Sequence, residues 1–342
     1  MKLQWVSNYD LIGNALGYST HQKQLKKAVE QAGVEITDDA SIAISITTPD
    51  KFFPVPDKFN ILYTMYECTT IPDEWVEPLQ GADLIVVPCT HNKKLFSRYT
   101  DVPIEVCWEG VDTSLYIYIE RKFPKGRDPF VYLWVGASNP RKGYEHVIFS
   151  WKLFRQKHPD WNVVLYLKTT QRTREERLLN IEDTIVDTRL LPLEKEAGGK
   201  LPTLPELYHA AHAFLLPSMG EGFGLTLAEA MSTGLPCIYT PWSGPVDFCS
   251  FKEGYPVKWK FIPIRTIALN AKGERGGIKY ESMAASAIPE SIVSQMERIY
   301  LAYDTALKKG KRAAERIRKD ITWEKSANSF IKIINKYTKE KK

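Results

Sequence analysis

The stretch FLLPSMGEGFGLTLAEAMSTGLPCIYTPWSGPVDF, from Phe214 to Phe248, decides how this chain is read. Ala213 to Leu216 make a short apolar run stopped by Pro217 and Ser218, the pattern of a parallel strand buried on both faces. Gly220-Glu221-Gly222-Phe223-Gly224 then reads as a turn, Leu225 to Thr233 as a helix ended by Gly234 and Pro236, and Cys237-Ile238-Tyr239 as a second strand. The glycines lie at the strand's C-terminal end, the edge at which open α/β sheets bind ligands. Glycines let backbone N–H groups approach a ligand closely, and the unpaired amides at the start of a helix suit a phosphate. Glu221 precedes the helix, and Glu229 lies eight residues on, about two helical turns later. A carboxylate accepts paired hydrogen bonds from vicinal hydroxyls, so the unit suggests a sugar nucleotide. A plainer reading makes Glu221 a helix-start carboxylate favoured by the dipole and Glu229 part of a solvated helix face.

The combined string favours the first reading. Glu-x7-Glu around Gly-Phe-Gly, with Pro-Ser before it and Glu-Ala-Met, Gly-Leu-Pro and Trp-Ser-Gly after it, resembles the family 4 (group 1) retaining glycosyltransferases. The resemblance implies an α/β protein of two Rossmann-like, doubly wound domains facing a cleft, the glycosyltransferase B arrangement. It also implies transfer of a sugar from a nucleotide-sugar donor, UDP- or GDP-sugar foremost, to a hydroxyl of a glycan or lipid-linked sugar. Retention of anomeric configuration, hexosyl transfer, no cofactor and no metal belong to the same expectation.

The 342 residues suit two domains of roughly 150 residues each. A hydrophobic content of 44% and a charged content of 25% are those of a soluble globular protein. No apolar run approaches the roughly 18–20 residues that cross a bilayer, and Met1-Lys2-Leu3 leads into Gln4, not into a signal-peptide core. The five cysteines form no CxxC pair and have apolar neighbours, which points to reduced, buried thiols and a cytoplasmic location. His209 and His212 read as ordinary helix surface. The net charge of +5 is concentrated late, in Lys308 to Arg312, Arg316 to Lys319 and Lys336 to Lys342. Such runs are usually solvated, but they also suit peripheral docking on an anionic membrane or a nucleic acid. Three alternatives follow: a glycosyltransferase acting on hydroxymethylated DNA bases, a sugar-nucleotide epimerase, and a non-catalytic binding protein of the same fold.

Residues 1–119 are expected to form an acceptor-binding Rossmann-like domain. Its first strand, Leu3 to Val6, leads through a glycine loop containing Gly13, Gly17 and Tyr18 into a helix from about His21 to Gln31. By the resemblance that loop faces the acceptor. Strands are read at Ser41–Thr47, Phe59–Thr64, Asp83–Val87 and Val102–Val106, with helices at Trp75–Gln80 and Asn92–Tyr99. Glu67 ends a strand and would face the cleft, either as a catalytic group or as a plain loop carboxylate. His91 is the histidine nearest that edge. Glu109 stands where the family usually has asparagine.

Residues 120–129 carry two prolines and a glycine and read as a linker. A nucleotide-sugar-binding domain is expected over 130–321, opened by the apolar strand Phe130–Val135 and the loop Gly136 to Gly143. Arg141 and Lys142 in that loop are well placed for a diphosphate, one as a fork and the other as a point charge. The resemblance assigns the diphosphate contact to Lys142. Many members carry an arginine where this chain has Ala137, which leaves Arg141 as the substitute. The same resemblance gives Leu225 and Thr226 to the phosphates, Glu229 to the ribose, and Glu221 with Gly222, Phe223 and Gly224 to the transferred sugar, with Gly136 nearby. Gly254–Ile264 and Gly273–Gly277 read as loops, and 266–287 shows no periodicity. Helices follow at Pro289–Leu301 and Thr305–Asp320. The Thr322-Trp323-Glu324 string opens a last helix, within 322–342, expected to cross back onto the first domain.

Overall fold

The computed structural model describes residues 1–6, 16–137, 139–169, 181–189, 191–193, 201–269 and 275–339. Gly13 and the terminal lysines Lys341 and Lys342 lie outside the described residues. Two six-stranded sheets, with every ladder parallel, carry the fold.

The first sheet contains β1 (Lys2–Val6), β2 (Glu35–Ile36), β3 (Ile42–Ile46), β4 (Phe59–Tyr63), β5 (Leu84–Val87) and β6 (Ile104–Val106), in the order β2-β1-β3-β4-β5-β6. Helices α1 (Leu16–Gln31), α2 (Val76–Leu79) and α3 (Thr90–Phe96) belong to it. Every residue of β3 and β5 is buried, as expected of a strand covered on both faces. The second sheet contains β7 (Phe130–Val135), β8 (Val163–Lys168), β9 (Thr184–Asp187), β10 (Ala213–Leu216), β11 (Cys237–Tyr239) and β12 (Tyr255–Pro256), in the order β12-β11-β10-β7-β8-β9. Its helices are α4 (Tyr144–Lys157), α5 (Leu204–Ala210), α6 (Leu225–Ser232), α7 (Pro289–Leu301) and α8 (Tyr303–Asp320). Strand order reverses between β7 and β10, so the crevice beyond their C-terminal ends is the topological switch point, where such sheets bind ligands.

The last helix, α9 (Trp323–Lys339), returns to the first domain. Its Trp323, Ala327, Phe330 and Ile334 share a core with Leu25, Val29, Ile44 and Tyr63. The chain crosses between domains twice, side by side: Val111 bridges Thr322, and the Val111 amide donates to Ile321 O at 3.1 Å. Gly110 lies so close to Trp323 that a Cβ there would run into its backbone. No helix or strand forms over 120–129, where Arg121 ties down the segment by donating to the carbonyls of Thr233, Tyr208 and Ala211.

Three local expectations need correction. Helix α1 begins at Leu16, so Gly17 and Tyr18 sit in its first turn and not in a loop; a Cβ on Gly17 would meet nothing within 4 Å. The region expected to be loops forms a long antiparallel hairpin, β13 (Trp259–Leu269) with β14 (Arg275–Ala287). That two-stranded arm joins neither main sheet, and the residues it buries near its end, Ser282, Ala284, Ala285 and Ala287, are small and carry little hydrophobic signal. His212 lies beyond α5 and not on its surface: its Nδ1 accepts from the Val131 amide at 3.0 Å, and burial lowers its pKa to about 4. All five cysteines are free and buried.

Phe330 is fully buried where α9 meets the first domain. Phe330→Ala should cost about 3–5 kcal/mol of stability, read by chemical denaturation. A loss under about 1 kcal/mol would mean that α9 does not complete that core.

Candidate active site

The loops after β7 and β10 meet at the switch point, where a Cβ on Gly143 would collide with the Pro217 carbonyl. Gly220 and Gly222 press against the first domain: a Cβ on either would collide with the Glu67 carbonyl or the Met65 thioether. Gly224 takes φ +110° at the N-cap of α6, a conformation that favours glycine. No side chain caps that helix start, which leaves the amides of Leu225 and Thr226 without a capping side chain.

Glu221 is buried at the centre of the site. Its carboxylate accepts from Lys142 Nζ at 2.6 Å and from Ser218 Oγ at 2.6 Å, with Arg141 Nη1 at 3.8 Å. Burial alone would raise its pKa, but Lys142 and Arg141 outweigh that and hold the carboxyl below its ordinary range. Its amide donates to Ser243 Oγ at 2.8 Å. Ser243 is itself held at φ +57°, a strained position for a residue with a Cβ. Arg141 reaches across the cleft: Nη1 donates to Gly220 O at 2.7 Å, and Nη2 lies 3.1 Å from Glu67 Oε1 of the first domain. Burial would lower the Arg141 pKa, but Glu67 and then Glu221 raise it, so the guanidinium stays charged.

Glu229 is not on a solvated face. It is half-buried, accepts from Tyr208 Oη at 3.1 Å and also pairs with Tyr116. Burial pushes its carboxyl up to about 7 against the opposing effect of the two tyrosines.

The structure therefore brings together Glu67, Arg141, Lys142, Glu221 and the Gly222–Thr226 loop, with Glu229 one turn along α6. Gly136 follows β7, and its amide donates to Lys168 O at 3.0 Å. Tyr18 reaches the same seam from α1, with its hydroxyl 3.1 Å from both the Met65 amide and the Met65 carbonyl. Gly17 is exposed and makes no close approach. His91 Nε2 lies 3.1 Å from Cys68 O, beside Glu67 and not on the Arg141–Lys142 cluster.

Sequence reasoning missed the residues that hold these groups: Ser218, Ser243, Tyr208 and Tyr116. It also missed Asp247, whose carboxylate crosses to the first domain and accepts from the Thr90 amide at 2.8 Å, Thr90 Oγ1 at 2.6 Å and Trp108 Nε1 at 3.2 Å. Ser218 and Ser243 lie inside the Pro-Ser and Trp-Ser-Gly strings that carry the resemblance, which is the signal that could have found them. Tyr208 and Asp247 offered none.

Residues 118–258 match the model of the family described as glycosyl transferases group 1. A Rhizobium meliloti lipopolysaccharide core mannosyltransferase is 30% identical over 154 residues, 42% of this chain and 42% of its own. An Escherichia coli galactosyltransferase that acts on GlcNAc-diphosphoundecaprenol is 26% identical over 185 residues, 50% of this chain and 46% of its own. The alignments thus span less than half the length of these curated relatives. Among solved structures, sucrose-phosphate synthase from Thermosynechococcus elongatus superposes with a TM-score of 0.67 at 14% identity, covering 99% of each chain. The Anabaena protein HepE, solved with UDP and glucose, gives a TM-score of 0.67 at 11% identity, covering 98% of this chain and 100% of its own. The chain has the two-domain glycosyltransferase B fold. Its residues 118–258 are similar to the group 1 glycosyl transferases.

Gly220→Ala should push the loop off Glu67 and destabilise the protein by about 1–3 kcal/mol, as overpacking does. Its melting temperature should fall below that of a Gly17→Ala control, where the added methyl has open space. Equal melting temperatures would show that the seam is not closely packed.

Proposed function

We propose that the protein is a retaining, metal-independent hexosyltransferase that takes its sugar from a UDP- or GDP-sugar and places it on a hydroxyl of a glycan or lipid-linked sugar. The observation that carries this reading is the pairing of Lys142 with buried Glu221 beneath the uncapped start of α6. A cation pair and helix amides suit a diphosphate, and a buried, oriented carboxylate suits the hydroxyls of a sugar. The Anabaena neighbour's complex with UDP and glucose supports a UDP-sugar donor.

Bond cleavage at the donor builds negative charge on the leaving diphosphate. Arg141, Lys142 and the Leu225 and Thr226 amides are fixed donors positioned to meet that charge, which is electrostatic preorganisation. Glu221 and the Gly222–Gly224 backbone would hold the transferred sugar, and Glu229 the ribose. Glu67 would keep Arg141 aligned from the opposite domain and, in doing so, help close the cleft against water. The acceptor would enter from the side of Tyr18. Among the described residues no helix is long and apolar enough to cross a membrane. The exposed Lys308, Lys311, Arg312, Arg318 and Lys319 of α8 offer a basic face for peripheral contact with anionic lipid.

Lys142→Ala should cost roughly 2–4 kcal/mol of transition-state stabilisation in a sugar-transfer assay run in EDTA. Activity within about twofold of wild type would remove Lys142 from the mechanism. Glu229 gives a pH signature. A protonated carboxyl loses acceptor capacity for the ribose hydroxyls, and this carboxyl titrates at about 7. Nucleotide affinity should therefore rise as pH increases through about 7, and the rise should disappear in Glu229→Gln. A pH-independent affinity in wild type would break the ribose assignment.

A further inference from the structure

Four rings gather where the two domains meet, and the site described above does not use them. His91 and Trp242 stand edge to face at 4.7 Å between centroids. Trp242 lies 5.5 Å from Trp259 and 5.0 Å from Phe261, and Trp259 lies 4.9 Å from Phe261. His91 comes from the start of α3 in the first domain, Trp242 from the loop after β11, and the other two from the base of the β13–β14 hairpin. The rings are not a sealed core. His91, Trp242 and Trp259 are half-buried, and Phe261 is 45% exposed.

Their place is tied to the reacting groups by one hydrogen bond on each side. His91 Nε2 lies 3.1 Å from the carbonyl of Cys68, the neighbour of Glu67. Trp242 immediately precedes Ser243, whose hydroxyl holds the Glu221 amide at 2.8 Å. The same loop carries two polar groups with no partner among the described residues: Trp242 Nε1 and Thr240 Oγ1 are both buried and unsatisfied. Half-exposed rings beside the polar Glu221 site suit a ligand with both kinds of surface, apolar and polar. A pyranose has them. Its C–H face packs on an aromatic ring, and its hydroxyl rim donates to and accepts from neighbouring groups.

We propose that His91, Trp242, Trp259 and Phe261 form a platform for a sugar ring of the acceptor, so that the acceptor is a carbohydrate docked across the domain seam beside Glu221. This rests on the reading of the Arg141–Lys142 site as the nucleotide-sugar site. The rings pack on the sugar's C–H face and set which face of it is presented. A platform drawn from both domains also makes acceptor docking depend on cleft closure.

The test is ligand-observed saturation-transfer NMR with the methyl glycosides of glucose, galactose, mannose and N-acetylglucosamine, run on the full chain with and without UDP or GDP. The melting-temperature shift caused by the nucleotides is recorded in parallel. At least one glycoside should bind wild type, and Phe261→Ala and Trp242→Ala should each weaken it about fivefold, equivalent to about 1 kcal/mol for one lost ring contact. Nucleotide affinity should stay within about twofold in both variants. Should Trp242→Ala fail to fold, the exposed Phe261 position still decides the matter. Absence of glycoside binding to wild type, or binding unchanged in Phe261→Ala, overturns the platform and leaves the rings as a brace for the hairpin. If no nucleotide shifts the melting temperature yet a glycoside binds through these rings, the platform stands and the donor-site reading falls.

Discussion

Arg141 is shared between two domains. One end of its guanidinium donates to the Gly220 carbonyl of its own domain, and the other faces Glu67 of the opposite one. Around this contact the chain places Lys142 on Glu221, Gly220 against the Glu67 backbone and Gly222 against Met65. The two ion pairs are not equivalent. Arg141 and Glu67 keep side-chain exposures of 28% and 21%, so their attraction is partly screened and should be near the roughly 1 kcal/mol of surface pairs. Glu221 keeps only 6%, and removing its partner would strand a buried charge, at a cost nearer the roughly 3–5 kcal/mol of a broken buried pair. The stronger pair lies within one domain and the weaker one spans the cleft. Separating the domains would break the weaker pair and leave the Lys142–Glu221 pair in place.

The sheet topology explains why these groups meet. Reversal of strand order between β7 and β10 leaves a crevice at their C-terminal ends, and only the loops after those strands can line both of its walls. One loop supplies the cations. The other supplies the glycines, the buried carboxylate and the helix start. Ser218 and Lys142 on Glu221, and the tyrosine pair on Glu229, then fix carboxylates that would otherwise rotate freely, while the strained Ser243 holds the Glu221 amide. Pinning of this kind is what an electrostatic site requires, since donors must be in place before charge develops.

Much of this was legible in the sequence because the relevant signals are local. The run Ala213–Leu216, its glycine turn and the Leu225 helix are each specified within a few residues, and the structure reproduces them within a residue. Long-range pairings were not legible. Nothing near Tyr208 says that its hydroxyl will meet Glu229, and nothing near Asp247 says that it will accept from Thr90 and Trp108 of the other domain. The β13–β14 hairpin was missed for a different reason. The arm joins neither main sheet, and its buried positions are filled by small residues such as Ser282, Ala284 and Ala287, which give little period-two hydrophobic signal. Helix α1 starts earlier than its sequence suggests, because Gly17 is a turn signal that the helix tolerates on an exposed face.

The proposed function has Arg141, held in line by Glu67, and Lys142 together meet a donor's diphosphate. Calorimetric titration of UDP and GDP into the protein in EDTA, at two salt concentrations, tests it most directly. The account predicts saturable binding of at least one nucleotide, weakened by salt and lost by more than about tenfold in Lys142→Met, since a charge-assisted contact to phosphate contributes about 1.5–3 kcal/mol. Binding of neither nucleotide, or binding that Lys142→Met leaves unchanged, would contradict it.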